Sequence, residues 1–102
     1  MEQRVGKESD FALGSCTPVT VGDYDVVIFR HPDGSFSALE DRCSHADVQL
    51  SGGTFESGVI ECMAHGAKFD AKTGKNLCMP AVTPVTSFRV KLVNGEVVVI
   101  LP

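Results

Sequence analysis

Cys43-Ser44-His45 and Cys62-Met63-Ala64-His65 are two short Cys/His pairs separated by residues 46–61, and they constrain this chain more than any other feature. Each pair offers one thiolate and one imidazole. Two sulfur and two nitrogen ligands suit zinc or an iron–sulfur centre and do not suit calcium or magnesium. A structural zinc site usually groups like ligands, as C-x2–4-C followed by H-x3–5-H. Here each pair mixes them, as C-x-H and C-x2-H. That order fits a two-iron centre in which both cysteines hold one iron and both histidines hold the other. Such a site requires two loops held side by side at one tip.

The residues around the pairs narrow the reading. Cys62 to Gly74 reads CMAHGAKFDAKTG, and the first pair runs on through Ala46-Asp47-Val48-Gln49 to Leu50-Ser51-Gly52-Gly53. These segments resemble the two cluster loops of Rieske proteins, C-x-x-H-G-x-x-F-D-x-x-T-G and C-x-H followed by L-S-x-G. Pro80-Ala81 falls where that family carries a proline loop closing over the cluster. The resemblance covers nearly the whole chain. It implies an all-β Rieske fold and one [2Fe-2S] cluster, with Cys43 and Cys62 on the inner ferric iron. His45 and His65 would then hold the outer iron that changes valence and would face solvent as the exit for the electron.

At 102 residues the chain is expected to form one domain, small enough that a bound cluster would help hold it. Its 43% hydrophobic content argues against disorder. The aliphatic run Val97–Leu101 is too short to cross a bilayer, and the polar N-terminus MEQRVGKESD has no apolar segment of the kind a secretion signal needs. A cytoplasmic protein without a membrane anchor is expected. A net charge of −4 and the lack of a Lys/Arg cluster argue against nucleic acid. Mild acidity would serve solubility or steer the protein toward a basic docking patch.

Local patterns are those of strands. Tyr24 to Arg30 is rich in β-branched and aromatic residues, and Pro32-Asp33-Gly34 supplies a turn into Phe36 to Leu39. Phe88, Val90 and Leu92 alternate with Arg89 and Lys91, predicting a strand with one face buried. Asn94-Gly95 predicts a type I′ hairpin into Glu96 to Leu101. Thr17 to Val21 contains Pro18, which predicts an edge strand. No window keeps a helical period with caps, and the two Cys/His loops do not read as a duplicated unit. These signals predict an antiparallel base, sandwich-like or barrel-like, from residues 1–41 and 83–102. Residues 42–82 would be an inserted lobe carrying both ligand loops. Gly52, Gly53, Gly58, Gly66 and Gly74 would allow its tight turns and close backbone approaches.

Replacing two thiolates by two neutral imidazoles raises the cluster potential from roughly −400 mV toward a window of about −150 to +300 mV. High-potential Rieske proteins place a serine and a tyrosine shortly after the second pair, and their hydroxyls donate to the cluster. They also carry an extra cysteine in each loop, joined as a disulfide. The matching positions here are Ala67 and Phe69, Ala64 stands at the second loop's extra cysteine, and Cys16 and Cys78 lie outside both loops. A potential near the bottom of the window is expected. The other candidates have plainer readings: His31 as a solvent-exposed turn residue, Cys16 and Cys78 as buried or half-buried free thiols, and Phe69 as a core residue. Asp41, Asp47 and Asp70 read as loop residues that bind backbone amides.

Of the three histidines, two belong to the pairs and only His31 is left. No second domain is visible for the mononuclear iron of a ring-hydroxylating oxygenase, nor a G-x-G-x-x-G loop for a nucleotide. The chain is therefore expected to be a carrier and not an enzyme. It resembles the stand-alone Rieske ferredoxins of bacterial aromatic-ring-hydroxylating dioxygenase systems. That implies a monomer taking one electron from an NAD(P)H-dependent flavoprotein reductase and passing it to a terminal oxygenase. Two alternatives stay open: the small Rieske-type subunit of an assimilatory nitrite reductase, and a zinc-bound structural or interaction module.

Overall fold

Val26 to Phe29 is an unbroken apolar run because both faces of its strand are covered. The computed structural model describes residues 1–44, 47–64, 66–79 and 83–101. His45, His65 and the expected proline loop at Pro80-Ala81 lie outside the described residues. Their regular structure is almost entirely antiparallel strand. The strands are β1 (Glu2–Lys7), β2 (Ser15–Val21), β3 (Tyr24–Arg30), β4 (Phe36–Glu40), β5 (Thr54–Glu56), β6 (Val59–Glu61), β7 (Lys68–Asp70), β8 (Asn76–Cys78), β9 (Ser87–Val93) and β10 (Glu96–Ile100). Two single-turn 3-10 helices, Glu8–Asp10 and Leu50–Gly52, complete the described elements. No described helix is long and apolar enough to cross a membrane.

Six strands form one sheet in the order β1-β10-β9-β4-β3-β2, and four form a second in the order β5-β6-β7-β8. The larger sheet curls until its edges approach. The Gln3 side chain on β1 bridges the seam, its Nε2 donating to the Thr20 carbonyl (3.3 Å) and its Oε1 accepting from the Gly22 N–H (3.2 Å). Inside the curl, Val26 and Ile28 of β3 pack with Phe11, Val21, Ala38, Phe88, Val97, Val99 and Leu101. The opposite face of β3 presents Val27 and Phe29 to a second core, with Leu39 of β4, Ile60 of β6, Phe69 of β7, and both Cys43 and Cys62. Each fully buried Val, Ile or Phe contributes roughly 1.5–3 kcal/mol of transfer free energy. β3 thus holds the two layers together.

Several local expectations are met. β2 is an edge strand, so Pro18, paired with Val27, leaves no gap in a ladder on its outer side. Asn94 and Gly95 have φ of 51° and 77° and join Val93 to Glu96 as a two-residue type I′ hairpin. Phe69 is fully buried. The alternation in β9 holds only at its start: Phe88 is buried, but Leu92 is 48% exposed. β4 pairs with β9 only at Ser87 and Phe88, so the far end of the hairpin runs past the core.

Two backbone approaches shape the lobe. A Cβ on Gly53 would stand 2.0 Å from the Glu61 carbonyl oxygen, and one on Gly74 2.0 Å from that of Val85. Gly74 also has φ of +79° and accepts the Val85 N–H at 2.8 Å. The Asp70 side chain closes the β7–β8 turn by accepting the Lys72 and Thr73 N–H groups.

His31 departs from the exposed placement expected of it, being 4% exposed. Its ring stands edge-on to Phe55 of β5, with centroids 5.3 Å apart. Nε2 lies 2.7 Å from Ser37 Oγ, and that hydroxyl donates its one proton to the Ala71 carbonyl at 2.7 Å. Nε2 must therefore carry the proton given to Ser37. The chain His31–Ser37–Ala71 pins the smaller sheet to the larger one. Removing the hydroxyl in Ser37→Ala leaves a buried N–H and a buried carbonyl without partners. A loss of about 1–3 kcal/mol is expected in denaturant unfolding.

Burial pushes the His31 imidazole below its ordinary value, Lys72 pushes the same way, and Asp33 and Asp70 oppose them. A base whose folded value is depressed stabilises the fold when neutral. Its contribution is complete above about pH 6.5 and is lost as pH falls through the depressed value. Stability measured from about pH 7.5 down to pH 5 should decline, and His31→Gln should flatten that slope. Gly53→Ala should cost about 1–3 kcal/mol of overpacking against backbone, visible as a thermal midpoint lower by more than about 4 °C.

Candidate metal centre

Both cysteines of the pairs end a structured stretch and open a loop. Cys43 follows the Asp41-Arg42 turn after β4, and Cys62 follows β6 directly. The two loops close in the same way. The Cys43 N–H donates to the Val48 carbonyl (2.8 Å) and the Cys62 N–H to the Ala67 carbonyl (2.7 Å), each five residues ahead. The sequence reading found no duplicated unit, and the primary spacing C-x-H against C-x2-H hides this backbone equivalence. His45 and His65 fall inside the two closed loops but outside the described residues.

Each loop is tied down separately. Ser44 Oγ donates to the Thr83 carbonyl at 2.7 Å, fastening the first loop to the chain that leads into β9. Leu50, fully buried, anchors the far end of the same loop in the core. Gly66 accepts a long contact from Cys78 Sγ at 3.7 Å, joining the second loop to the end of β8.

The loops bring Cys43 and Cys62 together. They are 2% and 0% exposed, unoxidised, and share one buried core. Burial pushes the Cys62 thiol up; the Ala64 N–H, 3.4 Å from its sulfur, works against this, while the neighbouring Cys43 adds to the rise. A pair of thiolates here would be costly without a cation between them, and a coordinated metal supplies that charge. The donor set thus fits an iron–sulfur group: two sulfurs in a dry pocket, one already receiving a backbone N–H. Ala67 and Phe69 line the same core, both fully buried, and bring no hydroxyl to it.

The remaining candidates separate from this centre. Cys16 is half-buried, as expected, with Sγ 3.9 Å from the Ser51 carbonyl. Cys78, expected to be buried or half-buried, is exposed, because β8 is the outer strand of the small sheet. Asp47 pairs with Arg42 at 3.4 Å on the surface. Asp41 is buried and accepts three hydrogen bonds from Gln49 and Ser51. Its reading as a loop residue is correct for the Ser51 amide but omits the two side-chain donors, which only the folded loop brings to it.

Comparison with known proteins agrees with this geometry. The Rieske [2Fe-2S] domain model matches residues 1–89. The 3-phenylpropionate/cinnamic acid dioxygenase ferredoxin subunit of Escherichia coli (strain K12) is 40% identical over 78 residues, which is 76% of this chain and 74% of that protein. The ferredoxin of carbazole 1,9a-dioxygenase from Nocardioides aromaticivorans IC177 superposes with a TM-score of 0.92 at 33% identity, over 97% of this chain and 96% of that one. A chain in a complex of reduced oxygenase and oxidized ferredoxin in carbazole 1,9a-dioxygenase matches with a TM-score of 0.89 at 34% identity, over 96% of this chain and 91% of that one. With its curled antiparallel sheet, its small second sheet and its paired buried cysteines, the chain belongs to the Rieske [2Fe-2S] domain family and resembles the ferredoxins of ring-hydroxylating dioxygenases.

Proposed function

We propose that this protein is a low-potential Rieske ferredoxin that carries one electron from an NAD(P)H-dependent flavoprotein reductase to a terminal ring-hydroxylating oxygenase. The observation that carries the reading is the meeting of Cys43 and Cys62, buried and unoxidised, at the mouths of two loops with matching closure. Cys43 and Cys62 hold one iron of a single [2Fe-2S] cluster, and His45 and His65 hold the other. When bound, the cluster supplies reversible one-electron chemistry. The chain's own residues bury the sulfurs, set the loop spacing and leave Ala67 and Phe69 without hydroxyls to donate. The likeness to dioxygenase ferredoxins, one of them in a complex with its oxygenase, supports the partner assignment.

On this reading all 102 residues are one Rieske domain, with a base of residues 1–41 and 83–102 and a cluster lobe of residues 42–82. It works as a cytoplasmic monomer and has no catalytic site of its own. Six strands from the two ends of the chain build the base, and the four short strands lie between them, which supports the division.

Protein purified without air is expected to be brown. After dithionite reduction it should give the EPR spectrum of mixed Cys/His ligation, with a low average g value. A colourless, EPR-silent protein containing zinc would overturn the reading. A redox titration should place the midpoint near the bottom of the window, about −150 mV, and a midpoint well above zero would refute the low-potential assignment. Cys43→Ala and Cys62→Ala should each abolish iron binding. A ring-hydroxylase flavoprotein reductase with NADH should reduce the wild-type protein.

A further inference from the structure

Met63, Leu77 and Met79 are 69%, 46% and 73% exposed, and all three stand around the loop that opens at Cys62. Met63 is the residue after Cys62. Its Sδ lies 3.4 Å from where a Cβ on Gly52 would stand, so the thioether reaches across to the end of the first loop. On the other side, Cys78 Sγ meets the Gly66 carbonyl at 3.7 Å, and Leu77 and Met79 flank Cys78 along the chain. Exposed apolar side chains thus border the second loop on two sides, and one of them bridges to the first.

The second observation concerns charge. Arg42 meets Asp47 at 3.4 Å beside the first loop. Glu61 stands opposite Lys68 in the β6–β7 ladder beside the second, and both line a shallow groove with Leu77. These charges come in opposed pairs and leave no net charge of their own next to the methionines. Asp23, Asp25 and Glu40 gather instead on the flank of the first loop, in one groove with Arg42 and Asp47. Flexible thioethers in a charge-balanced setting suit an apolar protein surface, because the centres of protein interfaces are enriched in Met and depleted of charge.

We propose that Met63, Leu77 and Met79 form an apolar docking surface on which the terminal oxygenase seats an uncharged, apolar rim of its own. The proposal rests on the carrier reading above. The oxygenase is the occupant because a chain 34% identical to this one occurs in a complex of reduced oxygenase and oxidized ferredoxin. Docking of this kind draws on water released from the thioethers and leucine, and it owes little to long-range attraction. The rival surface is the acidic flank, which would hold a basic partner through charge and would weaken as salt screens it.

The test is calorimetric titration of the oxidised holoprotein into the oxygenase of carbazole 1,9a-dioxygenase. Wild type should bind with a negative heat-capacity change, the mark of buried apolar surface. Its Kd should change less than about threefold between about 0.05 and 0.5 M salt, because apolar contact is not screened. Met63→Gln and Met79→Gln should each raise Kd about tenfold, as expected when a thioether buried on docking becomes an amide. Both should keep the wild-type iron content and g values, and Met79, outside both ligand loops, decides if Met63→Gln disturbs the second loop. Leu92→Gln, at the far end of the β9–β10 hairpin, should leave Kd unchanged. Wild-type Kd values in Met79→Gln would overturn the proposal, as would a Kd that weakens tenfold or more over that salt range, which would move docking to the acidic flank. A dimer of the protein alone that Met79→Gln dissolves would overturn it in favour of a second copy, and wild type that does not bind the oxygenase would overturn it outright. Failure of the cluster reading is distinguishable, since it appears in the colour and EPR spectrum of wild type before any titration.

Discussion

The structure depends on one constraint: β3 and β4 must satisfy two cores at once. Val26 and Ile28 fill the curled sheet, while Val27, Phe29 and Leu39 support the layer that contains Cys43 and Cys62. The thiols are therefore placed by the same packing that stabilises the base. A change of volume at Phe29 or Leu39 would reach Cys43 and Cys62 through the core they share, because dense interiors transmit small displacements. The polar ties work within that frame. His31 with Ser37 fastens one corner of the small sheet, and Asp41 and Ser44 fasten the first loop at both ends.

Electrostatics follows from the same burial. The centre is lined by apolar residues, and its nearby polar contribution to sulfur is a single backbone N–H, from Ala64 to Cys62, among the described residues. Hydrogen bonds to the sulfurs favour the reduced state, and a dry pocket makes every remaining charge count for more. Ala67 and Phe69 bring no hydroxyl to the pocket.

The features legible in the sequence were those with local causes. Asn94-Gly95 sets its own backbone angles, Pro18 cannot serve an inner ladder, and the β3 run needs no partner to be seen as a strand. β1 was not legible, because it is largely polar and exists through pairing with β10, with Arg4 and Glu96 paired alongside and Lys91 reaching Glu2 at 2.8 Å. β5 to β8 have three residues each, too few to show a period, although Ser57-Gly58 with φ of 53° and 78° marks the turn between β5 and β6. His31 was misread for a physical reason: its cover comes from Phe55 and Ala71, far along the chain, while its sequence neighbours spell an exposed turn. For the centre itself, the identities of Cys43 and Cys62 were legible, and their matched loop closures were not.

The exposure of Cys78 has a practical side. Of four cysteines, two are buried in the centre and Cys16 is half-covered, so Cys78 offers the one open thiol on the molecule. It sits against Gly66, the residue that follows His65. A maleimide dye would therefore attach at a single native address beside the loop that opens at Cys62. A probe can thus be placed beside that loop without an engineered handle.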